Sequence, residues 1–523
     1  MMKTGMLVIS NPNIVHRVLP MIQREIKNTI YIQYFPATKW NRSLNLKSAI
    51  RNTSNWPTFS SSIVGLYSKA LPYKHLDVRV LLSGIKSENL SKVITINPVE
   101  VVYYDKLFSK EDMLKYVGVY VPNKTSDCQV IALSDQMEVP PEDEINKVTH
   151  EYVYENVVLG GTFDRLHYGH KIMLSEAILR CKRKITVGVT DTQMLKSKKL
   201  WELVEPCDLR MKKVRDFLEE VEPSLEYDIV PINDIFGPTK DDPTFQMIVV
   251  SSETRGGGGK INEIRAANEL NPLCIHEVEL LADVNREDEV EEAKISSSNL
   301  RLRCLGTLLR PPQPNATIPA RPYIVGLMGG IASGKSNIGR HLGQLGVAVV
   351  DCDQLAHHVY RPGTTGHRLV VEQFSSDVLD QTGVVDRKKL GAIVFNDKEQ
   401  LDRLSALIWP LILEEAQDQA RTLHSQGHEV VVLEAAVLLR AGWTEVCHEV
   451  WATIVPPTEA IKRLMERNGL SEEEAKARLE SQPTNTEYVE RANVVFCSLW
   501  QKEFTQKQVD RAWTNLKERL NLP

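Results

Sequence analysis

Two histidines three residues apart, His167 and His170, sit where a chain can hold a triphosphate. They close the stretch VVLGGTFDRLHYGH (157–170), which reads as a buried strand, a tight Gly160-Gly161 turn and a helix entered through His-x-Gly-His. Thr162 and Phe163 complete the turn. The helix start points unpaired N–H groups and a partial positive charge at the strand end, which makes a phosphate site. Its two imidazoles occupy neighbouring positions of the first helical turn. Such a site needs no Ser, Cys or Lys nucleophile if it only holds a triphosphate while a second substrate attacks. A structural histidine pair in an ordinary strand-to-helix turn is the competing reading, and the glycine turn in front of it weighs against that.

Further along, KISSSNLR (294–301) sets Ser296, Ser297 and Ser298 before a helix. Their hydroxyls either cap that helix or meet phosphate, and Arg301 adds a fixed positive fork. A basic loop at 196–199, with Lys198 and Lys199, follows an expected strand at 184–190. Its carboxyl end is where open parallel sheets bind ligands.

A second phosphate loop lies in YIVGLMGGIASGKS. Gly329, Gly330, Ile331, Ala332, Ser333, Gly334, Lys335 and Ser336 form a complete Walker A loop between a strand and a helix. Its amides cradle phosphates, Lys335 reaches β/γ oxygens and the Ser336 hydroxyl is placed for Mg²⁺. The next strand ends in Asp351-Cys352-Asp353. One carboxylate there accepts a proton from an attacking hydroxyl or holds the metal, and helix capping suits the other. A strand at 429–434 ends in Glu434, a second acidic position. The segment 463–482 reads as a charged helical hairpin carrying Arg467 and Arg478, either a lid over ATP or a solvated face.

The elements that must position these groups alternate strand and helix, so the fold class is α/β. In 1–135, strands are expected at 6–10, 29–34, 77–83 and 92–96, a helix at 14–27 and a loop at 40–62. No phosphate-binding glycine pattern appears there, and a fragment beginning near Val153 is expected to suffice for the chemistry. A charged linker at 136–151 leads into a unit at 152–309. In that unit the glycine run of ETRGGGGKINEIR is expected to be a flexible loop entering a helix. A proline-rich linker at 310–322 is expected to hold that unit apart from the last, 323–523.

A chain of 523 residues is too long for one core, and 42% hydrophobic with 25% charged residues is a globular composition. The net charge of −5 supplies no basic field for nucleic acid. Eight scattered cysteines without a C-x-x-C pair fit reduced thiols rather than a disulfide frame or zinc site. No apolar run approaches the roughly 18 residues of a transmembrane segment. The N-terminus lacks a signal-peptide core, and its acid-free start carries little Ser for a transit peptide. A cytoplasmic location is expected, with mitochondrial association left open.

Together these motifs resemble those of the bifunctional coenzyme A synthase family, over about residues 150–523. GGTFDRLHYGH and ISSSNLR are similar to the signatures of phosphopantetheine adenylyltransferase, a His-x-Gly-His nucleotidyltransferase. GLMGGIASGKS, VVDCDQLAHHV and the Arg-bearing hairpin are similar to those of dephospho-coenzyme A kinase. The resemblance implies a Rossmann-like nucleotidyltransferase domain followed by a P-loop kinase domain, with ATP as substrate of both and Mg²⁺ as the ion. It implies AMP transfer to 4′-phosphopantetheine, then phosphorylation of the ribose 3′-hydroxyl of dephospho-coenzyme A. His167 and His170 would bind the triphosphate and stabilise the transition state, and 296–298 would help hold its β/γ phosphates. Lys198 or Lys199 would meet the acceptor's phosphate, and Asp353 would be the kinase's base. Ala332 replaces the second glycine of the usual GGIGSGKS, which the loop is expected to tolerate if that residue keeps a negative φ. Arg440 stands where an acid is expected after Leu438-Leu439. The expected partners are these small molecules, with the N-terminal region open to other proteins. The alternatives are a cytidylyltransferase fused to another small-molecule kinase, and a nucleotide-binding scaffold without turnover. Intact His167, His170, Lys335 and Asp353 weigh against the scaffold.

Overall fold

The computed structural model describes residues 2–36, 56–86, 91–134, 152–394 and 397–522. The expected linker at 136–151 and most of the expected loop at 40–62 lie outside them. The chain divides into two compact units, Met1–Leu300 and Arg301–Pro523. Among the described residues no helix is long and apolar enough to cross a membrane.

The first unit opens with β1 (Met2–Ile9), α1 (Val15–Ile22), β2 (Ile26–Tyr34), α2 (Ser60–Ala70), β3 (Asp77–Leu81), α3 (Ser83–Lys86), β4 (Val99–Tyr104), α4 (Lys110–Tyr120) and β5 (Lys124–Ala132). It continues with β6 (Tyr154–Gly161), α5 (Tyr168–Arg180), β7 (Cys181–Thr190), α6 (Cys207–Val221), β8 (Glu226–Ile232), β9 (Met247–Ser251), α7 (Arg255–Ala267), β10 (Cys274–Val278) and α8 (Ser297–Cys304), the last crossing into the second unit. Two parallel sheets result, ordered β3-β2-β1-β4-β5 and β10-β9-β6-β7-β8. Numbered within its own sheet, each has the order 3-2-1-4-5, so each has a switch point beside its first strand where ligands bind in such folds.

Four sequence expectations change here. The stretch 92–96 is not a strand: Ile94 and Ile96 stand half exposed, and Ile96 N–H donates to Glu220 rather than to a sheet neighbour. The helix expected at 14–27 ends at Ile22, because Pro20 removes an amide from its last turn. Trp56–Phe59 and α2 are helical where a loop was expected. The glycine run Gly256–Gly259 forms the first turn of α7, where amides lack intrahelical partners anyway, while buried Ile261 and Arg265 anchor the helix.

The larger change concerns separability. One apolar cluster contains Leu7, Ile32, Tyr67 and Val78 together with Val157, Leu174, Ile178 and Phe217. The N-terminal sheet and the second sheet therefore share a core, and 1–135 is not a detachable domain. Removing it would expose the face of α5 that packs on α2.

The second unit carries β11 (Tyr323–Gly329), α9 (Lys335–Gln344), β12 (Ala348–Asp351), α10 (Cys352–Val359), α11 (Thr365–Phe374), α12 (Arg387–Val394), α13 (Lys398–Ser425), β13 (Val430–Glu434), β14 (Glu449–Ile454), α14 (Pro457–Asn468), α15 (Glu472–Glu480), α16 (Asn485–Arg491), β15 (Val494–Cys497) and α17 (Lys502–Leu520). Its parallel sheet has the order β12-β13-β11-β14-β15, which sets the ends of β12 and β13 side by side, next to that of β11. The proline-rich segment is not a free spacer. Arg310 Nη1 donates to Val489 O (2.6 Å), Asn315 Nδ2 to Glu445 O (2.9 Å), and Pro319 O lies 3.0 Å from His448 Nε2. Prolines lack an N–H but keep their carbonyls, and the residues between them bond this segment to the second unit.

Candidate active sites

In the first unit, β6 delivers Gly160 and Gly161 to its carboxyl end. A side chain at Gly161 would stand 3.1 Å from the Phe163 ring. Phe163 and Arg165 hold left-handed backbone (φ 50° and 49°), a conformation that costs about 1–3 kcal/mol per non-glycine residue and collects at functional turns. Fully buried Arg210 holds this turn in place. It donates to Thr162 O (2.6 Å), Thr190 O (2.9 Å) and Glu205 O (2.7 Å), tying the ends of β6 and β7 together. Nothing in the sequence marked Arg210, since it sits on α6 among other charged residues.

His167 caps α5, and its ring stacks on that of His170 with centroids 3.8 Å apart. The Phe163 ring also packs against His170, tilted, with centroids 5.1 Å apart. Burial, helped by the nearby Lys198 charge, pulls the His170 pKa down to about 3, so the ring is neutral at neutral pH. Its Nδ1 has no hydrogen-bond partner among the described residues. The distant serine segment joins this pair: Ser297 Oγ donates to Asp164 O (2.9 Å) and lies 3.4 Å from His167 Nε2. Ser296 does the capping, its hydroxyl accepting from Asn299 N–H (3.1 Å). Ser298 follows in the first turn of α8, and Arg301 lies buried one turn on. Lys199 Nζ donates to Val290 O (3.5 Å).

In the second unit, the loop from Gly329 to Ser336 lines a cleft of about 940 Å³, along with Asp353, Arg463 and Arg467. Gly334 has φ +90°, and a side chain there would meet Ser498. Ala332 does not keep a negative φ but has φ 58°, in the left-handed region. Its carbonyl accepts from Arg463 Nη1 (3.2 Å), which also donates to Ser498 Oγ (2.8 Å) and so holds the loop in this shape. Gln482 Oε1 accepts from Ile331 N–H (2.7 Å). Arg463 stands one helical turn before Arg467, a spacing that sequence alone could have flagged. Gln482 carried no such signal.

Lys335 Nζ donates to Glu434 Oε1 (2.9 Å) and Asp353 Oδ2 (3.0 Å), and Ser336 Oγ donates to the same Glu434 oxygen (2.7 Å). Burial opposes the Lys335 charge, but the two carboxylates outweigh it and hold its pKa above the usual value. Asp353 remains about half exposed to the cleft. Asp351 is the capping residue, accepting from Gln354 N–H (3.0 Å). Arg467 reaches the cleft, whereas Arg478 on α15 is not among its lining residues. Arg440 places its guanidinium 5.7 Å over the Trp409 ring.

Two family models match separate stretches of the chain. The dephospho-CoA kinase family model matches residues 323–498, and the cytidylyltransferase-like model matches 158–303. The dephospho-CoA kinase of Carboxydothermus hydrogenoformans is 39% identical over 186 residues, covering 36% of this chain and 90% of that protein. That of Geobacter sulfurreducens is 40% identical over 190 residues, covering 36% and 96%. A solved dephospho-CoA kinase from Campylobacter jejuni is 25% identical, covering 38% of this chain and 98% of that one, with a TM-score of 0.31.

Proposed function

Through residues 323–498 the chain belongs to the dephospho-CoA kinase family, and from that premise we propose that it catalyses two successive steps. The first transfers AMP from ATP to 4′-phosphopantetheine and releases pyrophosphate. The second moves the γ-phosphoryl group of ATP to the ribose 3′-hydroxyl of the dephospho-coenzyme A so formed.

The observation that carries the reading is the convergence of Lys335, Ser336, Asp353 and Glu434 on one cleft, in a chain that also holds the stacked histidine pair. The kinase's acceptor is itself an adenylylated phosphopantetheine. The nucleotidyltransferase domain upstream is therefore the part of the chain with the chemistry to supply it.

At the first site, a phosphate oxygen of the acceptor attacks the α-phosphorus and the bond to pyrophosphate breaks. Neutral His170 donates a hydrogen bond to an α-phosphate oxygen where negative charge grows, and His167 and Ser297 hold the triphosphate. Lys198, beside His170, meets the acceptor's phosphate. At the second site, Asp353 accepts the proton of the 3′-hydroxyl as its oxygen attacks the γ-phosphorus. Lys335 exchanges its carboxylate partners for β/γ oxygens, and Arg467 closes over the nucleotide. The hydroxyl of Ser336 and the carboxylate of Glu434 are hard oxygen donors that suit Mg²⁺. When bound, that ion neutralises charge on the transferred group.

The test is incubation of the full chain with ATP, Mg²⁺ and 4′-phosphopantetheine, with products followed by mass. Dephospho-coenzyme A and pyrophosphate should appear first, then coenzyme A and ADP. A parallel reaction with CTP checks the cytidylyltransferase alternative: product from CTP alone, or from neither nucleotide, would overturn the first step.

A further inference from the structure

The N-terminal sheet repeats the strand order of the transferase sheet but shows, among the described residues, no phosphate-binding turn at its switch point. The turn after β1 is Ser10-Asn11-Pro12-Asn13, without a glycine pair or stacked histidines. The carboxylate there, Asp105, is occupied by Ser10 N–H (2.5 Å), Ser10 Oγ (2.7 Å) and Leu107 N–H (3.1 Å). His16 is bonded to the Asn13 carbonyl.

Polar groups of this region instead reach two helices of the transferase fold: α6, where Tyr31, Arg79 and Ile96 N–H meet Glu220, and α5, the helix that carries the histidine pair. At the start of α5, Asp77 forms an ion pair with Lys171, the residue after His170, and Lys171 Nζ also donates to Val78 O (2.9 Å). Tyr168, between the two histidines, donates its hydroxyl to Leu76 O (2.7 Å). At mid-helix, Ser60 Oγ donates to Glu176 Oε1 (2.5 Å). At its end, Lys86 Nζ donates to Ile178 O (2.8 Å) and to Cys181 O. Lys171 and Glu176 are 3% and 2% exposed. Charged side chains are almost never buried this deeply unless paired, and Lys171 finds its carboxylate outside the transferase fold.

We propose that the N-terminal region braces the first site, with Asp77 acting through Lys171 as a positioning residue for His167 and His170. The brace contacts no substrate. It fixes where the helix N-terminus and its two rings stand, and a displacement of about 1 Å there costs on the order of 10²-fold in rate. The inference rests on the adenylyl-transfer reading for its kinetic consequence, but the brace itself can be tested without it.

The experiment uses the full chain as Asp77→Asn, which keeps the shape and removes the charge. Adenylyl transfer at saturating substrates should fall roughly tenfold or more, while the KM for ATP and the phosphorylation of added dephospho-coenzyme A stay close to wild type. Amide hydrogen exchange should quicken in the first turns of α5 and remain unchanged in β1, β2 and β4. Wild-type turnover with local exchange unaltered would overturn the proposal. Exchange quickened evenly across the first unit would mean a merely structural role and would also overturn it. Should Asp77→Asn not fold, Tyr168→Phe removes one strut without stranding a buried charge, and the same pattern is expected in weaker form. If wild-type protein makes no dephospho-coenzyme A, the adenylyl-transfer reading falls, and exchange at α5 still decides the brace.

Discussion

Glu434 Oε1 receives both the Lys335 ammonium, at 2.9 Å, and the Ser336 hydroxyl, at 2.7 Å. The two side chains that a Walker loop offers to phosphate and metal are thus held by one buried carboxylate at the end of β13. Asp353, from the start of α10, shares Lys335 but keeps an exposed face to the cleft. That difference divides the roles. Glu434→Gln should raise the Mg²⁺ concentration needed for half-maximal phosphorylation and lower turnover on the order of 10²-fold. Asp353→Asn should lower turnover by about 10²–10⁴ with ATP affinity and Mg²⁺ requirement little changed. A Mg²⁺ titration of both variants checks the division, and the reverse pattern would exchange their roles.

His170→Ala removes the donor placed for the α-phosphate. Formation of dephospho-coenzyme A should fall on the order of 10²–10³-fold, with phosphorylation of added dephospho-coenzyme A near normal. Equal rates of the first step in variant and wild type would remove this site from the mechanism.

The same residue sets a pH dependence. Its folded pKa of about 3 lies below the unfolded histidine value of about 6.5, so the unfolded chain binds more protons between them. Its contribution to stability is constant above that window and is lost as pH falls through it. In the free protein the His170 ring should stay neutral to about pH 5 in a ¹⁵N NMR titration. An inflection near the ordinary histidine value would show that the ring is hydrated.

Ala332 holds φ 58° in the phosphate loop, where glycine has no Cβ to crowd the backbone. Ala332→Gly should raise the stability of the second unit by about 1 kcal/mol. Thermal unfolding measures it, and a loss of stability would mean that the Arg463 contacts more than offset the strain.

Each site has its own phosphate turn, built within a different compact unit. Lys335→Ala protein should accumulate dephospho-coenzyme A at the normal first-step rate. Mixed with His170→Ala protein it should yield coenzyme A after a lag, because the intermediate diffuses between molecules. No coenzyme A from the mixture, with each variant retaining its other activity, would mean transfer inside one molecule.

The two phosphate turns were legible from residue order alone because each is local: strand, glycine turn and helix start lie within about 15 residues. The same holds for the α/β alternation and for the helical hairpin of α14 and α15 that carries Arg467, whereas which of Asp351 and Asp353 caps the helix stayed open in the sequence. What only the tertiary structure decided are the meetings of strand ends. Lys335 and Glu434 are 99 residues apart, His167 and Ser297 130, and Asp77 and Lys171 94. Hydrophobic periodicity reports which face of a strand is buried, not which strand lies beside it. In the sequence Glu434 is therefore only a second acid, and the pairing of β13 with β11 is what sets it beside Lys335. Buried charges mislead further: Lys171, Glu176 and Arg210 have the composition of a solvated surface, and only their partners put them inside. For that reason the N-terminal region read as a separable domain, although some of its polar groups and part of its core belong to the helix that carries the histidines.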